Sequence, residues 1–123
     1  MRILLAEDDP NISLIAKLSL EKLGGFDVTV VGDGEAALRT ALAGGFDLIL
    51  LDEMMPKMNG LRVSKEYRAQ CSNPTPIIFL SAKSQDSDIR EFSDNGIGFI
   101  PKPFDPMQLS GQIHLLMGIR GAA

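Results

Sequence analysis

Residues 48–51 read Leu-Ile-Leu-Leu, an unbroken apolar run that stops at Asp52. Alternating apolar and polar residues would mark a strand with one wet face. A run without alternation marks a strand covered on both faces. Covering both faces takes helices on either side of a sheet, and the chain supplies them in regular alternation with four further short apolar stretches. Five strands alternating with five helices argue for an α/β fold built on a doubly wound parallel sheet.

The first strand spans residues 3–6 and ends in Glu7-Asp8-Asp9-Pro10. Asp before Pro is a helix-start signature, with Asp9 as the N-cap and Pro10 in the first turn. The helix is expected to reach about Leu23, with Ile12, Ile15, Ala16 and Leu23 near one inward face, before Gly24-Gly25 stops it. Residues 27–31 alternate enough for a half-exposed strand. Asp33 caps the next helix, where Leu38, Ala41 and Leu42 make the expected inward face and Gly44-Gly45 the end. After Asp52 comes a loop in which Met54, Met55 and Met58 read as packing residues. Asn59-Gly60 opens a helix to about Gln70. Asn73-Pro74-Thr75-Pro76 breaks the chain ahead of a strand at 77–80, which ends in Ser81-Ala82. The fourth helix is expected over 86–94, closed by Asn95-Gly96. The fifth strand follows over 97–100, and Pro101 at its end suits an edge position. Asp105-Pro106 repeats the cap-and-proline start for a last helix with Leu109, Ile113, Leu116 and Met117 on one face.

Composition narrows the function classes. A length of 123 residues and an apolar share of 45% suit one buried core, and no linker separates two domains, so one domain over 1–123 is expected. A net charge of −4 gives no electrostatic reason to expect nucleic-acid or anionic-membrane binding. The opening apolar stretch is too short for a signal peptide, and no run has the length of a membrane span. A single cysteine, Cys71, excludes an internal disulfide and fits a reducing cytoplasm. It reads as a helix-end residue with a reactive thiol as the alternative. His114, the only histidine, has no second His or Cys to join it and reads as a surface residue.

A parallel sheet gathers the carboxyl ends of its strands on one edge, where ligands of such folds bind. The residues placed there are Glu7, Asp8 and Asp9, then Asp52, then Ser81, then Lys102-Pro103. Close carboxylates repel by about 1 kcal/mol per pair in water and by several times that at a half-buried site. Either protons are taken up or a cation neutralises them. Hard oxygen ligands suit Mg²⁺, with Mn²⁺ as a substitute. Lys102 adds a second positive charge and Ser81 a hydroxyl, which together suit phosphoryl transfer. Asp52, at the end of the most apolar strand, is the candidate nucleophile.

At these residues the chain resembles the receiver domains of two-component response regulators, the CheY-like family. The matching segments are residues 3–9, 48–60, 77–82 and 102–104, in order and at fitting spacing across the whole chain. The resemblance implies a five-stranded parallel sheet of order 2-1-3-4-5 with five helices. It implies Asp52 as phosphoacceptor, Asp8 as direct metal ligand, Glu7 acting largely through water, and the Met54 backbone carbonyl as a further ligand. Ser81 and Lys102 would bind phosphoryl oxygens, Phe99 would be the aromatic switch residue (or simply core), and Lys102-Pro103 would be a cis peptide. Asp9 falls just outside the acidic pair, in keeping with a cap.

The implied function is a cytoplasmic phosphorylation switch rather than an enzyme. A sensor histidine kinase or histidine phosphotransfer protein would donate the phosphoryl group in a Mg²⁺-dependent reaction. A downstream protein target would read the surface of the fourth helix, fifth strand and fifth helix. The chain resembles the stand-alone receivers, without direct nucleic-acid or membrane contact. The fifth helix lacks the arginines through which one subfamily dimerises, so a monomer or weak dimer is expected. The alternatives are an unphosphorylated docking module and an aspartate-nucleophile phosphatase. The latter usually carries a second Asp two residues past the nucleophile, where this chain has Met54. The family's usual Ala-Asp ahead of the fifth strand is Gly96-Ile97-Gly98 here. Met54 and Lys83 occupy positions that tune acyl-phosphate lifetime in the family.

Overall fold

The computed structural model describes residues 1–83 and 85–118. The elements are β1 (Arg2–Ala6), α1 (Pro10–Lys22), β2 (Asp27–Val31), α2 (Gly34–Ala43), β3 (Leu48–Asp52), α3 (Gly60–Gln70), β4 (Ile77–Ser81), α4 (Asp86–Asn95), β5 (Gly98–Pro101) and α5 (Leu109–Met117). The strands form one parallel sheet in the order β2-β1-β3-β4-β5. All five residues of β3 and all five of β4 are buried, as an unbroken apolar strand requires. β5 is an edge strand, so Pro101 costs no interior ladder bond.

The period-two alternation of each strand divides the core in two. Ile3, Leu5, Leu48, Leu50, Ile78 and Leu80 face one layer, with Ala16 and Leu20 of α1 and Leu109 and Ile113 of α5. Leu4, Ala6, Ile49, Leu51 and Phe79 face the other, with Ala37 and Ala41 of α2, Val63 and Tyr67 of α3, and Phe92 of α4. Burying each large side chain contributes about 1.5–3 kcal/mol before entropy is charged against it. No helix among the described residues is long and apolar enough to cross a membrane.

Three of the capping signals act as read. The Asp9 carboxylate accepts from Asn11 N–H at 2.8 Å and Ile12 N–H at 3.2 Å, Asp33 from Ala36 N–H at 2.8 Å, and Asn59 from Arg62 N–H at 2.9 Å. Four expectations need correction. The buried face of α1 is Ser13, Ala16, Ser19 and Leu20, while Ile15 is 46% and Leu23 53% exposed. Small residues let α1 approach its neighbours, and the Ser19 hydroxyl donates to the Pro106 carbonyl just ahead of α5. On α2, Leu42 is exposed, and Ala37 and Ala41 make the close contact. Asp105-Pro106 opens a turn instead of α5: the Asp105 carboxylate accepts from Met107 N–H at 2.9 Å, its carbonyl from Gln108 N–H at 2.9 Å, and the helix begins at Leu109. Of the three loop methionines, Met55 is buried and Met58 partly so, but Met54 lies open at the cleft with 68% exposure. His114 is exposed on α5, its ring centroid 5.6 Å from that of Phe26. Cys71 ends α3, half-buried beside Tyr67.

Candidate functional site

Because every strand runs the same way, β1, β3, β4 and β5 deliver their last residues to one edge. There a cleft of about 290 Å³ is lined by Glu7, Asp8, Asp9, Asp52, Met54, Ser81 and Lys102, with Ile12 and Ala82 at its margin. Close approach is built in. A Cβ at Gly60 would come within 2.6 Å of the Asp52 carbonyl oxygen, so glycine lets the start of α3 sit against the end of β3.

Lys102 is the hub. Its Nζ lies 2.7 Å from Glu7 Oε1 and 3.1 Å from Asp52 Oδ1. Its side chain is 19% exposed, and those of Glu7 and Asp52 are 1% and 4% exposed. Asp52 Oδ1 also accepts from Met54 N–H at 3.2 Å, and Glu7 Oε2 from Asp9 N–H at 3.2 Å. The Lys102–Pro103 peptide bond is cis. Ser81 is buried, and its Oγ accepts from Lys83 N–H at 3.0 Å. Phe99, half-buried on β5, sits 5.5 Å from the Phe92 ring and pairs in register with Phe79. Asp9 lines the rim with its carboxylate committed to the α1 cap.

Glu7, Asp8 and Asp52 each place a carboxylate oxygen within 4.8 Å of the others. Three ionised carboxylates against one ammonium would leave a net charge of about −2, with the Glu7 and Asp52 side chains buried. The Asp52 carboxyl registers this: burial, and then the neighbouring Glu7, push it up to about 7 despite Lys102. Burial lowers the Lys102 ammonium, but Glu7 and Asp52 outweigh it and hold the group above its ordinary value. The donor set is all hard oxygen with excess negative charge, and it fits a divalent cation.

One pair escaped the sequence reading. Glu53, immediately after Asp52, is buried, and its Oε1 lies 3.0 Å from Lys83 Nζ. The contact holds the lysine above its ordinary value. An acid at the end of a fully buried strand was the available signal. Its neighbour on the β4–α4 turn was not visible from spacing.

Comparisons with known proteins agree with this geometry. A family profile described as "Response regulator receiver domain" matches residues 3–114. The response regulator ArlR of Staphylococcus saprophyticus is 38% identical over 117 residues, which make up 94% of this chain and 52% of that protein. The chain spans about half the length of the curated relatives it matches. Among solved structures, the receiver domain of a Francisella response regulator superposes with a TM-score of 0.85 at 31% identity, covering 97% of this chain and 98% of that one. The receiver domain of a sensor histidine kinase from Pseudomonas aeruginosa superposes at 0.82 with 33% identity, covering 95% and 97% of the two chains. It was solved with a magnesium ion coordinated in its active-site cleft.

Proposed function

This chain belongs to the response regulator receiver domain family, and from that premise we propose that it is a cytoplasmic phosphorylation switch whose acceptor is Asp52. The observation that carries the reading is the Asp52 carboxylate, buried at a strand end, 3.1 Å from Lys102 and within 4.8 Å of Glu7 and Asp8 oxygens. A carboxylate oxygen of Asp52 would attack the phosphorus of a phosphohistidine. The oxygen–phosphorus bond forms as the nitrogen–phosphorus bond breaks, and the imidazole leaves with the electron pair and takes up a proton. Lys102 would release Asp52 for attack and follow the incoming phosphoryl oxygens. The Ser81 hydroxyl would donate to one of them.

Asp8 and Asp52, with the Met54 carbonyl and with Glu7 through water, would hold Mg²⁺, or Mn²⁺ in its place. The ion would neutralise charge on the transferring group. The magnesium ion in the active-site cleft of the Pseudomonas receiver supports a divalent cation here. A histidine kinase or histidine phosphotransfer protein would be the donor. The new dianion would draw Ser81 inward, Phe99 would follow, and α4–β5–α5 would change as a surface for a downstream protein. Moving such a switch from a few per cent to mostly active takes roughly 3–4 kcal/mol, within reach of charge-assisted bonds from Lys102 and Ser81.

Intact mass after incubation with a small phosphodonor tests this. Wild type should gain one phosphoryl group only with Mg²⁺, and Asp52→Ala none. No gain by folded wild type would favour an unphosphorylated docking module, and turnover of an external phosphomonoester would favour a phosphatase.

A further inference from the structure

Glu53 follows the proposed acceptor directly, yet the chemistry above makes no use of it. It is 3% exposed, a rare state for a carboxylate. Its Oε1 lies 3.0 Å from Lys83 Nζ, while Oε2 is buried without a hydrogen-bond partner. Lys83 is its one ion-pair partner among the described residues. A buried carboxylate with a single cation depends on that cation, because losing it leaves an uncompensated charge. Lys83 carries a second tie: its main-chain N–H donates to Ser81 Oγ at 3.0 Å. The side chain of Lys83 is therefore fastened to the end of β3, and its main chain to the hydroxyl at the end of β4.

We propose that the Glu53–Lys83 pair is a clasp that holds Ser81 in its resting position and so sets how readily the switch is thrown. Glu53 and Lys83 are positioning residues acting through Ser81, and the proposal rests on the receiver reading above. Turning the Ser81 hydroxyl toward a phosphoryl group means giving up the Lys83 N–H or carrying Lys83 along. Carrying Lys83 along pulls its ammonium from Glu53. The clasp thus favours the resting state and phosphorylation the switched one. By linkage, weakening the clasp makes phosphorylation more favourable by the same factor. Lys83 is 49% exposed on its side chain, so solvent screens the pair and the factor is modest, about fivefold.

Two measurements on wild type, Glu53→Gln, Lys83→Met and Lys83→Arg decide it. The first is backbone amide exchange at Lys83, read by NMR without phosphodonor or Mg²⁺. Exchange should be about fivefold faster in Glu53→Gln and Lys83→Met. The Lys83→Arg variant, which keeps the pair, should resemble wild type. The double variant Glu53→Gln/Lys83→Met should be no faster than either single, which separates a clasp from general loosening. Unchanged exchange in both singles overturns the proposal. The second is an equilibrium one, the concentration of beryllofluoride, a non-hydrolysable stand-in for the phosphoryl group, that half-saturates the protein with Mg²⁺. It should fall about fivefold in both Glu53→Gln and Lys83→Met. Opposite shifts in the two would mean that the Lys83 ammonium acts on the phosphoryl group itself, and would overturn the clasp. If wild type takes up no phosphoryl group at all, the receiver reading fails, while the exchange measurement still decides whether the clasp exists.

Discussion

Asp9 stands beside three proposed metal-binding carboxylates, yet its side chain does a different job. It accepts from Asn11 and Ile12 N–H groups that α1 would otherwise leave unpaired. Asp9→Ala should therefore destabilise the protein by about 1 kcal/mol in urea unfolding, and Asp9→Asn by only a few tenths. Both should keep Mg²⁺-dependent phosphorylation. Loss of phosphorylation in Asp9→Asn, with stability intact, would place Asp9 in the metal site after all. The role was legible because Asp9-Pro10 stands directly before a helical apolar period, where an Asp side chain can take the first free N–H groups. Glu53 was harder: its neighbour on one side is the proposed phosphoacceptor and its partner Lys83 lies 30 residues on, where no local rule pairs them. Lys57 is another such case. It holds φ of +70, in the left-handed region that favours glycine, and its residue type gives no hint of this.

At the scale of elements, the strands followed from the chain because an unbroken apolar run bounded by turn residues has one physical reading, and the caps at Asp9, Asp33 and Asn59 followed because each stands directly before a helical period. The inward face of α1 did not. Its apolar residues outnumber the positions the core can take, so periodicity alone could not choose among them. The structure buries Ala16 and Leu20 with Ser13 and Ser19, and leaves Leu14 56% and Leu18 43% exposed. Leu20, fully buried between α1 and the sheet, should cost about 2–5 kcal/mol as Leu20→Ala. Leu14→Gln and Leu18→Gln should each stay within about 0.5 kcal/mol of wild type. Denaturant midpoints at constant slope would check all three. A large loss in Leu14→Gln or Leu18→Gln would mean that α1 packs through a face other than that of Ala16 and Leu20. The start of α5 was misplaced for a similar reason: Asp105-Pro106 satisfies a tight turn as well as a helix start, and two residues, Met107 and Gln108, separate the pair from Leu109.

The whole molecule must carry the charge that its fold collects. A parallel sheet cannot avoid bringing Glu7, Asp8 and Asp52 to one edge, and Lys102 offsets only part of it. Asp52 is pushed up to about 7 in the fold, against about 3.9 in an unfolded chain. Between those values the folded protein binds the extra proton, so stability falls as pH rises. The contribution is complete below about pH 4 and gone once pH passes the folded value near 7. Without divalent cation, the unfolding midpoint should therefore decline across that window, and Asp52→Asn should flatten the decline. The proposed binding of Mg²⁺ to the ionised cluster should reverse the trend, adding about 2.7 kcal/mol at a hundred times its dissociation constant. That gain should grow with pH over the same window, since protons and metal compete for the same oxygens. Thermal unfolding at pH 5, 6, 7 and 8, with Mg²⁺ and with chelator, would measure both curves. Parallel curves would mean that the cation does not occupy the cluster formed by Asp52. Curves that separate as pH rises, and merge in Asp52→Asn, would tie the fold's charge imbalance to the site that is proposed to use it.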